Sequence, residues 1–380
     1  MHVDVIPEIR RIERFQWNTL AGGDNPFVAH EFLTALEESG CTGEATGWIP
    51  HHFTVRDDTG ALRAAAPAYI KLHSYGEYIF DWAWASAYER AGLGYYPKIV
   101  LAVPFSPVTG PRLLLEASQD AADFPGLLIK GAERLALDLG ASSIHCLFPR
   151  PEDLGLLEQH GWLRRTGYQF HWQNRDYPDF AAFLDGFSAQ KRKKIKRERR
   201  AVQESGVTLE VRTGREVTDE HWRLFYRCYR ATIERHGATP YLNQDFFMAL
   251  GQLMPQNVVL VLARRAGHYI AAALNLLGRD ALFGRYWGQL EPVDNLHFET
   301  CYYTPIEFCI ERRLKRFEAG AQGTHKLSRG LLPTPTYSAH WLSRADFSRA
   351  ISEFLMREHR GVEYYMNELN EHGPFKHDIG

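Results

Sequence analysis

The sequence predicts an α/β (α+β) chain made of two similarly built halves. Three observations lead there: the length, an ordinary globular composition, and one order of elements that occurs twice. At 380 residues the chain exceeds the roughly 250 to 300 residues at which a single hydrophobic core stops growing, so two domains are expected. Hydrophobic residues make up 45% and charged residues 24%, which describes a packed protein rather than a disordered one.

In the first half, Phe27, Phe32, Leu33 and Leu36 recur at helical spacing across 26–39, with Gly40 as a stop. Two strands of a hairpin follow at 52–56 and 62–71, separated by the turn Asp57-Asp58-Thr59-Gly60. A third strand is expected at 77–82, a helix at 124–139, a short buried strand at 143–147 and a closing strand at 168–173. The second half repeats the order. Helices are expected at 219–235 and 244–254, then strands at 258–264, 268–277 and 281–288, with Arg265-Ala266-Gly267 turning the first into the second. A helix over 298–316, a strand over 317–322, a loop holding Pro333 and Pro335, and a final amphipathic helix with Phe347, Ile351, Phe354 and Leu355 on one face complete the chain.

Composition narrows the function classes. Lys and Arg number 44 against 46 Asp and Glu, so attraction to nucleic acid or anionic lipid must come from a local patch. The five cysteines (Cys41, Cys146, Cys228, Cys301, Cys309) form no CxxC pair, which fits neither a disulfide scaffold nor a zinc ribbon. No basic-then-apolar leader opens the chain, and no segment has the ~18 uninterrupted apolar residues of a membrane helix. A cytoplasmic protein without a membrane span is the expectation. P-loop, nucleophile-elbow, zincin and dinucleotide-binding signatures are all missing, and the seventeen histidines lack ligand spacing, so no metal site is expected.

Helix, strand hairpin, helix, strand, helix, strand is the order of an N-acetyltransferase fold. Its pyrophosphate loop, Gln or Arg followed by xxGxG or xxGxA, is not intact. The nearest approach is Glu89-Arg90-Ala91-Gly92-Leu93-Gly94, where a carboxylate replaces the leading residue and would repel a pyrophosphate.

Three stretches carry candidate chemistry. The run Lys191-Arg192-Lys193-Lys194-Ile195-Lys196-Arg197-Glu198-Arg199-Arg200 holds eight positive charges and one negative. On a helix these charges reach every side, so the segment is either a solvated connector or a phosphate-binding surface, with tRNA or a nucleotide-linked substrate as the anion. Lys71, His73, Tyr75, Asp81 and Trp82, followed by Phe105 and Arg112 in a Pro- and Gly-rich stretch, are candidate substrate-binding residues at strand ends. The densest cluster lies in the second half. Tyr286 and Trp287 end a strand, His297 and Glu299 open a helix, and Tyr303 and Glu307 share a stripe with Glu299 at four-residue spacing. Beyond them, the strand that begins Phe317-Glu318 ends in small residues, which lets a substrate approach the backbone, and then presents Gln322, His325, Lys326 and Arg329.

Asn25-Pro26-Phe27 with His30-Glu31-Phe32-Leu33, the 73–82 and 104–112 blocks, the basic helix, Gly284-Arg285-Tyr286-Trp287-Gly288, and Phe317-Glu318 through His325-Lys326-Leu327 resemble the bacterial FemAB-like proteins of the GNAT superfamily, commonly labelled peptidoglycan biosynthesis/recognition. The resemblance covers essentially the whole chain. It implies tandem GNAT (acyl-CoA N-acyltransferase) folds with mixed sheets flanked by helices, related to the Fem aminoacyltransferases and to leucyl/phenylalanyl-tRNA-protein transferase. Those tRNA-protein transferases carry Asp-x-Gln on the matching strand. Here Gly320-Ala321-Gln322 keeps the Gln and loses the Asp, with Glu318 two residues earlier. The inserted coiled-coil arm of the Fem enzymes is reduced to the basic helix.

The expected organisation is an N-terminal domain over 1–176, a basic connecting helix over 177–206 and a C-terminal domain over 207–380. The expected activity is direct acyl or aminoacyl transfer from an activated donor, aminoacyl-tRNA or acyl-CoA, to an amine on a small molecule or peptide, with no tightly bound cofactor. Gln322 would polarise the carbonyl, Glu318 or Glu299 would take the proton, and Tyr286 or Tyr303 would donate one. Trp287, His297 and Glu307 would line the substrate. His325, Lys326 and Arg329 would hold a phosphate or carboxylate, and Lys191, Arg192, Lys193, Lys194, Lys196 and Arg197 would meet nucleic acid. The rival readings are an acetyl-CoA-dependent N-acetyltransferase and a non-catalytic protein that recognises a peptide or cell-wall precursor. The transferase readings require a cavity beside the strand at 281–288.

Overall fold

A computed structural model describes residues 2–116, 123–321 and 323–376. In chain order the elements are β1 (His2–Ile6), α1 (Arg14–Ala21), α2 (His30–Glu38), β2 (Trp48–Pro50), β3 (His52–Arg56), β4 (Leu62–Ala66), β5 (Ala68–Lys71), α3 (Trp82–Arg90), β6 (Lys98–Leu101), β7 (Leu114–Leu115), α4 (Phe124–Asp138), β8 (Ser143–Leu147), α5 (Pro151–Gln159) and β9 (Leu163–Gln173). They continue with α6 (Phe180–Asp185), α7 (Ala189–Glu204), β10 (Val207–Thr213), α8 (Asp219–Arg235), α9 (Gln244–Leu253), β11 (Val258–Arg265), β12 (His268–Leu277), β13 (Ala281–Gln289), α10 (Leu296–Phe298), α11 (Thr304–Glu311), β14 (Arg316–Glu318), β15 (Leu332–Leu342) and α12 (Ala345–Glu371). The chain forms two units, Met1–Tyr168 with Pro335–Tyr364, and Gln169–Thr334 with Tyr365–Gly380. Pro335–Tyr364 thus groups with the N-terminal residues, and the basic helix α7 lies inside the second unit.

The first unit has an antiparallel sheet β1-β3-β4-β7 and a mixed one in which β2, β5 and β6 pair antiparallel, β6 runs parallel to β8, and β8 pairs with Ser338–Leu342 of β15. Asp123 caps α4 by accepting from the Gly126 N–H at 2.9 Å. Leu128, Ile129, Ala132 and Ala136 recur along one stripe of that helix and pack on Phe53, Val55, Ile99 and Ile144 of the strands.

Two expectations about this unit change. The strand expected at 77–82 is a loop, because Gly76 and Tyr78 have φ of 82° and 62°, which extended strand cannot accommodate. The fully buried ammonium of Lys98 also draws in Ser74 Oγ (2.8 Å), Glu77 Oε2 (2.8 Å) and Asp81 Oδ2. Burial lifts the Glu77 carboxyl to about 7. Burial acts the same way on Asp81, but the Lys98 charge outweighs it and brings that group down to about 2. The loop holding Pro333 and Pro335 is instead strand β15, whose ladder with β8 begins only at Ser338, past both prolines.

In the second unit β10, β11, β12 and β13 form an antiparallel meander. β14 lies parallel to β13 and antiparallel to the end of β9. Thr218 caps α8, and Trp222, Phe225, Cys228 and Tyr229 face the sheet. Glycine is required at position 288, since a Cβ there would lie 1.9 Å from the Cys228 carbonyl oxygen of α8. The helix expected at 298–316 is shorter and irregular. It starts at Leu296, widens into a π turn over Glu299–Tyr303 and stops at Glu311, with Arg313 at a φ of 53°. The strand expected at 317–322 ends at Glu318, ahead of Gly320 at a φ of 83°. Among the described residues no helix is long and apolar enough to cross a membrane.

The fit at Gly288 predicts that Gly288→Ala forces α8 away from β13. We expect a loss of about 3 kcal/mol or more of unfolding free energy, at the upper end of overpacking costs, measured by urea denaturation.

Candidate active site

β13 and β14 pair only over Ala281–Phe283 and Arg316–Glu318. Beyond that the two parallel strands part, and a cavity of about 100 Å³ opens between Gly284 and Ala319. Arg285, Tyr286 and Trp287 of β13, Ala273, Leu274 and Asn275 of β12, and His297, Cys301 and Tyr302 complete its lining. The sequence sets this locally in three ways. Consecutive Leu274 and Asn275 of β12 pair with Tyr286 and Gly284, so Arg285 is an extra residue that bulges β13 beside the opening. Gly284 leaves space that a Cβ would take from the Phe317 ring and from Asn275 Oδ1, at 3.2 and 3.3 Å. The π turn then places Cys301 and Tyr302 on the same wall as His297.

The polar groups here are few. The Trp287 indole N–H is buried without a hydrogen-bond partner, and its ring meets His297 at 4.8 Å between centroids. Burial, aided by the nearby His325, Arg329 and Lys326 charges, lowers the His297 imidazole to about 4, so it is neutral near pH 7. Tyr302 Oη lies 2.9 Å from His325 Nε2, and burial also holds His325 below the ordinary imidazole range. The buried Lys326 donates to the Gly320 carbonyl at 2.8 Å, and burial lowers its amine to about 8. That bond fixes the amine one residue along the backbone from Ala319, which lines the cavity.

Of the residues singled out from the sequence, Tyr286, Trp287 and His297 line this cavity. Gln322 lies outside the described residues. Glu318 ends β14 next to Ala319; its Oε1 accepts from Arg316 at 2.9 Å and its buried Oε2 has no hydrogen-bond partner. Glu299, Tyr303, Glu307 and Arg329 instead face α7. Arg199 reaches Glu299 at 3.0 Å and Glu307 at 2.8 Å, while Tyr303 donates to Glu198. Arg329 grips Glu198 at 2.9 and 3.0 Å, lies 3.4 Å over the Phe298 ring, and donates to the His325 carbonyl at 2.7 Å. These side chains anchor the segment that carries His325 and Lys326.

The candidates of the first unit form a separate group. Lys71 sits 3.9 Å over the Trp48 ring and donates to the Tyr75 carbonyl at 3.2 Å, and burial takes its amine down to about 7. His73 binds the Thr46 carbonyl at 2.8 Å, Tyr75 meets Trp82 at 5.2 Å on the surface, and Phe105 packs on Trp48 at 5.4 Å. Asp81 belongs to the Lys98 cluster. The buried Arg112 spends its donors on the Leu147 and Val108 carbonyls at 2.8 and 2.7 Å, which makes it a structural brace. On α7, Lys193, Lys194, Lys196 and Arg197 are exposed and Lys191 and Arg192 half-buried, with Arg192 held by Asp185 at 3.1 Å.

Sequence reasoning passed over Glu198, Asn275, Cys301 and Tyr302. Glu198 had a usable signal: the lone acid of the basic run lies between Ile195 and Val202 at three- and four-residue steps, and these three are the buried positions of α7. The near-motif at Glu89–Gly94 sits at the C-terminal end of α3, where free carbonyls rather than N–H groups point outward.

The sequence profile of the FemAB-like family, described as peptidoglycan biosynthesis/recognition, matches residues 8–377. The chain belongs to that family. No curated protein sequence matches this FemAB-like chain. Among solved structures it is similar to FemX, with a TM-score of 0.55 and 12% identity over 93% of this chain and 100% of that one. A C-terminal domain assigned to lysylphosphatidylglycerol synthetase from Agrobacterium fabrum gives 0.54 and 12% over 89% and 94%. L-PGS from Bacillus licheniformis gives 0.51 and 11% over 90% and 98%. The architecture of the FemAB-like chain is α/β, with mixed sheets flanked by helices.

The Glu198 clamp predicts that Glu198→Ala, which leaves Arg329 buried and unpaired, lowers unfolding free energy by about 3 to 5 kcal/mol. Glu198→Gln, which keeps an acceptor oxygen, should recover part of that. Urea denaturation of both variants checks it, and a loss below about 1 kcal/mol for Ala would contradict it.

Proposed function

We propose that this chain is an acyltransferase that moves an aminoacyl group from aminoacyl-tRNA to an amine by direct attack in the β13–β14 cavity. The observation that carries the reading is the opened strand pair with the unpartnered Trp287 among its lining residues and the Lys326 amine bonded to the backbone one residue past Ala319 of that lining. An acyl carbonyl seated there would have these two donors nearby, and donors turned to its oxygen would stabilise a developing oxyanion.

The amine nitrogen attacks the carbonyl carbon, a C–N bond forms, and the ester C–O bond breaks. The proton leaves the amine through Tyr302 Oη to His325 Nε2 and ends on the departing ribose oxygen. His325 suits the relay because burial keeps it unprotonated at neutral pH. Lys326, protonated below about 8, supplies positive charge at the oxyanion.

Two features favour tRNA over acetyl-CoA as donor. The strand-to-helix connection that follows β13, where an acyl-CoA pyrophosphate would rest, carries Glu291 and Asp294. The exposed cations of α7, Lys193, Lys196 and Arg197 among them, offer a phosphate-binding face in the same unit.

Two tests follow. Incubation with charged tRNA and amine-bearing cell-wall peptides should give a product heavier by one aminoacyl group in mass spectrometry; an acetylated product formed only with acetyl-CoA overturns the donor assignment, and no product with either overturns catalysis. The rate should rise as His325 loses its proton below about pH 6.5 and fall as Lys326 loses its own through about 8. Lys326→Gln should remove the alkaline limb and lower kcat by about 100-fold or more, the usual cost of one oxyanion donor.

A further inference from the structure

A second cleft, of about 510 Å³, lies in the first unit, where the segment after β1, the end of α2 and the start of β2 meet. Four carboxylates line it, from Glu8, Glu37, Glu38 and Glu44, against one guanidinium, Arg10. Arg10 is held by Glu8 at 2.5 Å, and Glu37 accepts from the Ile9 N–H and from His52 Nε2, each at 2.8 Å. Among the described residues neither Glu38 nor Glu44 makes a salt bridge.

Folding accounts for Glu37, which ties Ile9 and His52 to α2, but not for Glu38. Glu37 and Glu38 occupy the last turn of α2, which holds no basic residue, so both face the negative end of the helix dipole. An independent feature points the same way. Thr42 lines the cleft with 6% of its surface exposed, and its hydroxyl has no hydrogen-bond partner. A buried polar atom left in this state costs free energy unless something else satisfies it.

The shape restricts the ligand. Among the described residues no three acidic, histidine or cysteine side chains are placed to hold a metal ion, so these carboxylates do not converge on a point charge. Pro7, Ile9, Ile49 and Pro50 give the walls an apolar part, beside the polar Thr34 and His51. The volume falls within the ~300 to 1,000 Å³ typical of small-molecule sites.

We propose that this cleft binds a primary ammonium on a linear alkyl stem, with the methylenes along the Ile49–Pro50 wall and the charge at Glu38 and Glu44. A free diamine and a lysine side chain share that chemistry.

Calorimetric titration of the full chain at low salt tests it with 1,6-diaminohexane, N-acetyl-lysinamide and the uncharged isostere 1,6-hexanediol. Both cations should bind and the diol should not, with the tighter cation marking the natural source. The Glu38→Gln/Glu44→Gln variant should weaken cation binding at least five-fold, and Thr42→Val should weaken it about three-fold. Thermal melts within a few degrees of the parent would show that both variants keep the fold. Equal binding of the diol, an unchanged affinity in the double variant, or Mg²⁺ binding tighter than either amine would each overturn the proposal. The readout is binding alone, so it stands apart from acyl transfer.

Discussion

Everything in the second unit follows from the parting of β13 and β14. Two parallel strands that paired along their full length would leave a closed sheet with no interior. After three paired residues the ladder stops, and the backbone groups and side chains past Gly284 and Ala319 border a small enclosed space. The surrounding elements are arranged to keep it so. Asn275 sits opposite the bulge of β13 at Arg285, the Phe317 ring lies against Gly284, and α8 presses on Gly288.

The second constraint is electrostatic. A helix carrying eight cations would be repelled from an electropositive loop, yet α7 meets the segment holding Lys326 and Arg329. A single buried carboxylate, Glu198, makes that contact favourable by taking both Arg329 and Tyr303. Arg199 does the converse one residue later, entering between Glu299 and Glu307. The exposed cations of α7 stay free to face solvent or an anion because the charges turned inward neutralise one another.

Much of this fold is legible in the sequence, and the reason is periodicity. β12 at His268–Leu277 and α8 at Asp219–Arg235 coincide with the expected bounds because a short apolar run bounded by turns and a one-sided apolar stripe are local signals. Long-range forces decide the elements that were misread. The segment at 77–82 looks like a strand until Lys98, some twenty residues away, recruits its acids. β15 looks like a loop because it opens with two prolines, and its ladder with β8 begins only after them. The candidate site shows the same division. Tyr286, Trp287 and His297 could be found from polar and aromatic residues at a strand end and a helix start, whereas Asn275, Cys301 and Tyr302 reach the cavity through a bulge and a π turn that leave no periodic trace.

The π turn over Glu299–Tyr303 amounts to one surplus residue within an otherwise α-helical run. Deleting any one of its five residues would let the helix relax to regular geometry and would rotate all that precedes it by about 100° relative to α11. His297 would swing off the wall it now shares with Tyr302. The reading frame of this helix is therefore set by residue count as well as by residue identity, and a variant that keeps every named side chain but loses one position would carry an intact parts list in a disassembled machine.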